Sequence, residues 1–186
     1  MLDPVRYYDL EKYLFEDVGR HFAADRSIGA FDFFSIVIWK ANRAKTQIAR
    51  RVLRMDKTGR QELEPIVRDL TRSLAQAPSD MERLRILVKE WGFALPMASA
   101  ILTVLWPEEF TVYDVRVCKQ LRKFDKLGGR SKFEEIWEGY CAYRDAVRLT
   151  VPGDLSLRDK DRHLWAKSMI NQLEEDISSR FQRSGA

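Results

Sequence analysis

Apolar residues recur along most of the chain at the three- and four-residue spacing of helices that bury one face. Strand-like alternation of apolar and polar residues is almost absent. The segments are bounded by glycine, proline and capping residues, which mark turns between helices. The pattern predicts helices over roughly residues 7–23, 31–39, 44–55, 60–74, 79–91, 96–106, 115–124 and 132–149, and one more that opens at Ser156. We therefore expect an all-α fold of about eight helices.

Three of these helices have clear start signals. Ser79 with Glu82, and Ser156 with Asp159, have the spacing of a capping box, and Asp114 has the residue type of an N-cap. The helix that begins near Phe31 is apolar nearly all round, which predicts that it is the buried central helix. The helix opened at Ser156 is expected to pack through its large apolar residues, Leu164, Trp165, Met169, Leu173 and Ile177.

The length and composition place the chain among ordinary globular domains. It has 186 residues, of which 45% are hydrophobic and 32% charged, and it contains no linker or repeat. We expect one helical domain over residues 1–186. No apolar run approaches the roughly 20 residues of a membrane span, and the N-terminus lacks the features of a signal peptide.

Cysteine and histidine are scarce, two of each, and none are closely spaced. A zinc site or an iron-sulfur cluster needs about four soft ligands at short spacings, so we expect no metal and no cofactor. Two isolated cysteines are typical of thiols in a reducing compartment, which predicts a cytoplasmic protein.

The formal net charge is +4, and the cations are clustered in two segments. The first contains Lys40, Arg43, Lys45, Arg50, Arg51 and Arg54, and the second contains Arg116, Lys119, Arg122, Lys123, Lys126, Arg130 and Lys132. Such clusters are typical of surfaces that bind nucleic acid, and equally of solvated helix faces.

The segment 80–123 carries the most specific pattern. A helix ends at Trp91-Gly92, a short turn follows, and a second helix opens on Pro96 with small residues behind it. A hairpin of this kind presents backbone N–H groups at a helix N-terminus, where they and the helix dipole favour a phosphate. Beyond it, an extended Thr111–Tyr113 leads to Asp114.

This segment resembles the helix-hairpin-helix superfamily of DNA glycosylases, which includes endonuclease III and the 8-oxoguanine glycosylases. The resemblance covers roughly residues 31–123 and rests on the hairpin 92–96, Pro107, Val112 and Asp114. Upstream, the apolar helix ending in Trp39–Arg43 is similar to the family's buried helix and its polar, DNA-facing end. The resemblance implies a two-lobed helical arrangement, a double-stranded DNA partner and membership of an uncharacterised bacterial branch.

The resemblance also implies roles for particular residues. Asp114 is the candidate catalytic carboxylate. The stretch Pro96–Ser99 has no lysine to form a Schiff base, which implies a monofunctional enzyme without lyase activity. The candidate DNA-binding residues are Gly92, Phe93, Ala94, Leu95, Pro96, Ser99, Lys40, Asn42, Arg43 and Arg116.

Several alternatives remain open at this point. Asp114 is explained equally by helix capping, and Arg116 by a phosphate contact or by pairing with a neighbouring acid. Trp39, Trp91 and Tyr113 are candidates to stack on a flipped base or are simply core residues. Three hypotheses for the whole chain therefore stay open. It is a monofunctional glycosylase that hydrolyses the bond between a modified base and deoxyribose, a non-catalytic DNA-binding module of the same fold, or a helical protein-interaction domain.

Overall fold

The protein is helical, with no strand among the residues described by the structure, a computed structural model that covers residues 4–180. The prediction of an all-α fold with about eight helices is confirmed. No helix in the described part of the chain is long and apolar enough to cross a membrane. The predicted domain, residues 1–186, includes residues 1–3 and 181–186, which lie outside the described part.

The chain divides into two compact units, and the boundary lies between Phe110 and Thr111, inside the segment 80–123. The helices of the first unit are α1 (Leu10–Tyr13), α2 (Gly19–Asp25), α3 (Ala30–Ala41), α4 (Lys45–Met55), α5 (Leu63–Gln76), α6 (Asp80–Arg85) and α7 (Leu95–Leu105). Those of the second are α8 (Val115–Leu121), α9 (Phe133–Thr150) and α10 (Leu157–Glu175). Short 3-10 segments cover Pro4–Tyr7, Asn42–Ala44 and Leu127–Gly129, and π-helical turns cover Leu14–Val18, Ile86–Glu90 and Asp176–Arg180.

Several helix ends differ from the prediction, and two of them have a clear local cause. The first helix starts at Leu10, because the Asp9 side chain accepts a hydrogen bond from Lys12 N–H and caps it. The helix predicted to reach Phe124 ends at Leu121, because Arg122 adopts a left-handed conformation with φ of 52°. Both ends depend on local backbone geometry that hydrophobic spacing does not encode.

The central helix of the first unit is α7. Every residue of α7 except Pro96 is buried, and α7 packs against α2, α3 and α6. The prediction that the helix near Phe31 is the central one is wrong. In α3 the residues Phe33, Ile36 and Val37 are buried, but Phe31 is 54% exposed.

In the second unit, two buried tyrosines of α9 hold the extended segment after the boundary. The Tyr140 hydroxyl donates to Thr111 O at 2.7 Å and accepts from Thr111 N–H at 3.0 Å. The Tyr143 hydroxyl donates to Val112 O at 2.8 Å. These bonds satisfy backbone groups that a neighbouring strand would otherwise pair.

Candidate nucleic-acid interface

The hairpin of the first unit reverses the chain at Gly92. The π-helical turn Ile86–Glu90 ends the first arm, Gly92 has φ of +65°, and Phe93 N–H donates to Leu87 O at 2.9 Å. Glycine is favoured here because left-handed φ values are costly for other residues. The predicted order of helix, glycine turn and second helix is therefore present, with the second arm, α7, beginning at Leu95.

Three predicted DNA-binding side chains point into the core. Phe93 and Leu95 are each 2% exposed, and the ring centroid of Phe93 lies 6.2 Å from that of Phe33. Ser99 is fully buried, and its hydroxyl donates to Pro96 O at 3.2 Å. These three residues are unable to contact DNA through their side chains. Only the backbone of the turn remains as a predicted phosphate contact.

The N-terminus of α7 has fewer backbone donors than most helices offer. Pro96 has no N–H, and the N–H groups of Met97 and Ala98 each donate to Ala94 O at 3.0 Å. A phosphate at this turn would therefore depend strongly on nearby cationic side chains.

Such a cation is supplied by Arg51 of α4. Its guanidinium donates through Nη1 to Gly92 O, and a Cβ added at Gly92 would lie 2.8 Å from that nitrogen. The left-handed φ is the main reason for glycine at this position, because the flexible end of the Arg51 side chain can shift away from a Cβ. The sequence identifies Arg51 only as one member of a basic segment. In the structure Arg51 is half-buried and is followed by the buried Val52. This burial distinguishes it from the exposed arginines of the same segment.

Three further arginines lie in or just before α4, and we call Arg43, Arg50 and Arg54 the α4 arginine stripe. Arg50 and Arg54 are four residues apart and lie on one side of the helix, away from the buried Ile48 and Val52, whereas Arg43 lies in the 3-10 segment Asn42–Ala44 that precedes it. All three are exposed. Arg50 and Arg54 lie about 6 Å apart along α4 at the rise of 1.5 Å per residue.

The α4 arginines differ from most arginines of the chain in having no acidic partner. Within residues 4–180, neither the stripe nor Arg51 forms an ion pair, and the sequence has no acidic residue from Phe33 to Met55. Most other arginines form ion pairs with carboxylates. Examples are Arg60 with Asp56 and Asp69, Arg68 with Glu64, Arg72 with Asp69, Arg83 with Asp80 and Arg85 with Glu82. The positive charge of α4 is therefore not neutralised locally.

The predicted cluster Lys40, Asn42 and Arg43 lies where α3 passes into α4. Asn42 and Arg43 are exposed, and Asn42 Oδ1 accepts a hydrogen bond from Lys45 Nζ at 3.1 Å. Six residues separate Lys45 from Arg51, or about 9 Å of helix. The cluster thus lies at the start of α4, and the hairpin is bonded to Arg51 further along the same helix.

Asp114 begins the first helix of the second unit. The tyrosine-held segment Thr111–Tyr113 leads into it, and its Oδ1 accepts from Arg116 N–H at 2.9 Å. The carboxylate therefore caps α8, as the sequence predicts. The predicted catalytic role of Asp114 stays a prediction, because capping already explains an aspartate at this position.

Arg116 is held by α10. Its guanidinium donates to Gln172 Oε1 at 2.8 Å and lies over the Trp165 ring, 5.4 Å from the centroid. The partners are thus an amide and an indole rather than the neighbouring acid considered from sequence. A phosphate contact would require Arg116 to leave both, which makes it a weaker candidate than the α4 arginines.

Two other groups near Asp114 are unsuited to acid–base or nucleophilic chemistry. Burial raises the pKa of Tyr113 to about 12 and that of the Cys118 thiol to about 11. Both stay protonated at neutral pH, where a nucleophilic thiol has to ionise. The Tyr113 hydroxyl donates to Phe124 O at 2.5 Å, and the residue is 5% exposed, so it is a core residue rather than a platform for a base.

Trp39 and Trp91 remain partly exposed. Trp39 packs edge-on against Phe15, with 5.7 Å between ring centroids, and therefore has a structural role whether or not it meets a base.

Comparison of the chain with protein-family models, curated proteins and solved structures found no match. The resemblance to helix-hairpin-helix glycosylases over residues 31–123 therefore stays a prediction that rests on its own motifs.

Proposed function

We propose that this protein binds double-stranded DNA through the first unit, with the α4 arginine stripe and the Gly92 hairpin as the contact surface. The observation that carries the proposal is the set of α4 arginines without acidic partners, one of which, Arg51, is bonded to the hairpin turn. Such arginines can bind phosphates without first breaking an ion pair. Their planar guanidinium groups suit phosphate oxygens.

The dimensions of this surface fit a duplex. DNA carries one negative charge per about 1.7 Å of helix axis, so two arginines about 6 Å apart on α4 lie within reach of several phosphates. The exposed Arg43, Arg50 and Arg54 contact the backbone in this arrangement, and Arg51 supports the turn from the side. Contacts of this kind position a protein on DNA and do not read its sequence.

The finer proposal is that the protein is a monofunctional glycosylase with Asp114 as its catalytic carboxylate. In such an enzyme the target base is flipped out of the stack, and the bond from deoxyribose C1′ to the base nitrogen breaks. The carboxylate stabilises the positive charge that develops on the sugar and activates the water that adds to C1′. The support for this role is the resemblance, together with the rigid tyrosine-held segment that leads into Asp114.

The decisive experiment compares binding to a short duplex that carries a tetrahydrofuran abasic analogue with binding to the intact duplex, at two salt concentrations. A glycosylase is expected to bind the abasic duplex more tightly, and the affinity falls as salt is added because counterions are released on binding. Equal, salt-sensitive affinity for both duplexes would favour the non-catalytic DNA-binding module. Absence of binding at low salt would overturn both DNA proposals and leave the protein-interaction domain.

Substitutions of Asp114 distinguish its capping of α8 from its proposed catalytic role. We expect Asp114→Ala to lower the free energy of unfolding by about 1 kcal/mol, while Asp114→Asn, which keeps a capping oxygen, changes it little. If Asp114 is catalytic, both variants lose release of damaged bases from randomly damaged DNA. The measurements are urea unfolding and base release.

Ser156→Ala is the matched control for Asp114. Ser156 caps α10 in the same unit by accepting from Asp159 N–H at 3.0 Å, so its loss should cost similar stability and spare base release. Base release that persists in Asp114→Asn would remove Asp114 from the chemistry.

A further inference from the structure

The helix α10 has one buried side and one exposed apolar row. The buried side carries Leu157, Asp161, Leu164 and Ser168, and α10 packs against α8 and α9. On the exposed side, Ile170 and Leu173 are each 49% exposed. The sequence-based expectation that Trp165, Leu173 and Ile177 pack in the core is wrong, since they are 42%, 49% and 58% exposed.

The spacing of the exposed stripe is that of a helix-pairing seam. Ala166, Ile170 and Leu173 follow one another on α10 at steps of four and three residues, which is the repeat that keeps apolar side chains facing a second helix, and Ile177 lies four residues further, in the π-helical turn that follows α10. We call these four residues the α10 seam. Its part on α10, from Ala166 to Leu173, extends over about 10 Å. An apolar row with exposed side chains such as Ile170, Leu173 and Ile177 is typical of an interaction surface.

The charges beside the seam indicate what kind of helix pairs with it. Lys167 and Glu174 are both exposed and lie seven residues apart, so they occupy the same position along one edge of the seam. When two identical helices pair antiparallel, the same edge of each helix faces its counterpart. Lys167 of one copy then meets Glu174 of the other, and the twofold symmetry repeats the ion pair.

A parallel pairing is disfavoured by the same charges. In parallel helices opposite edges of the seam face each other, and the other edge carries Arg162. Arg162 of one copy, which already pairs with Asp159 of its own helix, would then lie beside Lys167 of the other, so Lys167 would face a cation rather than a carboxylate. The surface is therefore self-complementary in the antiparallel orientation.

We propose that two copies of this protein form a twofold-symmetric dimer in which their α10 helices pair antiparallel through the α10 seam. Such an isologous contact uses the same residues on both copies. The contact is short, so the dimer is weak and depends on protein concentration. This assembly is independent of DNA binding, since it uses the second unit and none of the α4 arginines.

The test is sedimentation velocity of the full chain over a dilution series. We expect Lys167→Glu and Glu174→Lys each to raise the dimer dissociation constant about tenfold, because each replaces both ion pairs with like charges. The double variant Lys167→Glu/Glu174→Lys restores opposite charges and should restore dimerisation. Leu173→Glu should give a monomer at every concentration.

The control is Lys57→Glu, which makes the same charge change in an exposed turn of the first unit. It should leave the dissociation constant unchanged, and circular dichroism verifies that all variants are folded. A wild-type monomer throughout the series would overturn the proposal. A dimer that is unaffected by the Lys167 and Leu173 substitutions would also overturn it, because another surface would then hold the copies together.

Discussion

Replacing Arg43, Arg50 and Arg54 together with alanine should weaken binding to a short DNA duplex about a hundredfold at low salt. Each exposed arginine of the α4 arginine stripe is expected to neutralise one phosphate, and each phosphate contact adds about 0.9 to the slope of log affinity against log salt. The triple variant should therefore lose about three from the magnitude of that slope. Fluorescence anisotropy at several salt concentrations measures both quantities.

The control is a second triple variant with the same change of net charge. Arg68, Arg72 and Arg85 lie in the same unit but are paired with Glu64, Asp69 and Glu82. Their replacement by alanine should change the affinity much less, because these guanidinium groups already have carboxylate partners. Equal losses for the two triple variants would mean that net charge alone, rather than the α4 arginine stripe, governs binding.

Phe93→Ala should lower the free energy of unfolding of the first unit by about 3 to 5 kcal/mol. The ring is 2% exposed and packs beside the fully buried Phe33, so truncation leaves a cavity between α3 and the hairpin. Urea unfolding, followed by tryptophan fluorescence, measures the change. This residue was a DNA-contact candidate from its place in the hairpin, and the structure assigns its side chain to the core.

The neighbouring Ala94 provides a matched control for Phe93. Ala94 is exposed in the same turn and is the N-cap residue of α7, where alanine and valine both lack a capping side chain, so Ala94→Val should change stability by less than about 0.5 kcal/mol. Unchanged stability of Phe93→Ala, combined with loss of DNA affinity, would instead put the ring on the DNA and contradict the packing.

Much of the fold could be predicted because helix starts are local. Ser79, Asp114 and Ser156 each accept a hydrogen bond from a backbone N–H two or three residues ahead, as their residue types and spacing indicate. The turn at Gly92 is local in the same sense, since left-handed backbone conformations favour glycine.

The neighbours of each helix could not be predicted in this way. Apolar spacing shows that a helix has a face to bury, but many apolar partners satisfy it equally well, because hydrophobic burial is not directional. The pattern therefore did not distinguish α3 from α7 as the central helix.

The features of the candidate site also divide into those that the sequence predicts and those that only the tertiary structure shows. The sequence by itself determined that the chain is helical, where most of its helices begin, that a glycine turn precedes α7, and that a basic segment lies between Lys40 and Arg54. Only the tertiary structure decided that Arg51 reaches the turn, that the side chains of Phe93 and Ser99 point inward, and that the α10 seam stays exposed. These facts depend on contacts between residues far apart in the chain, and no local pattern encodes such contacts.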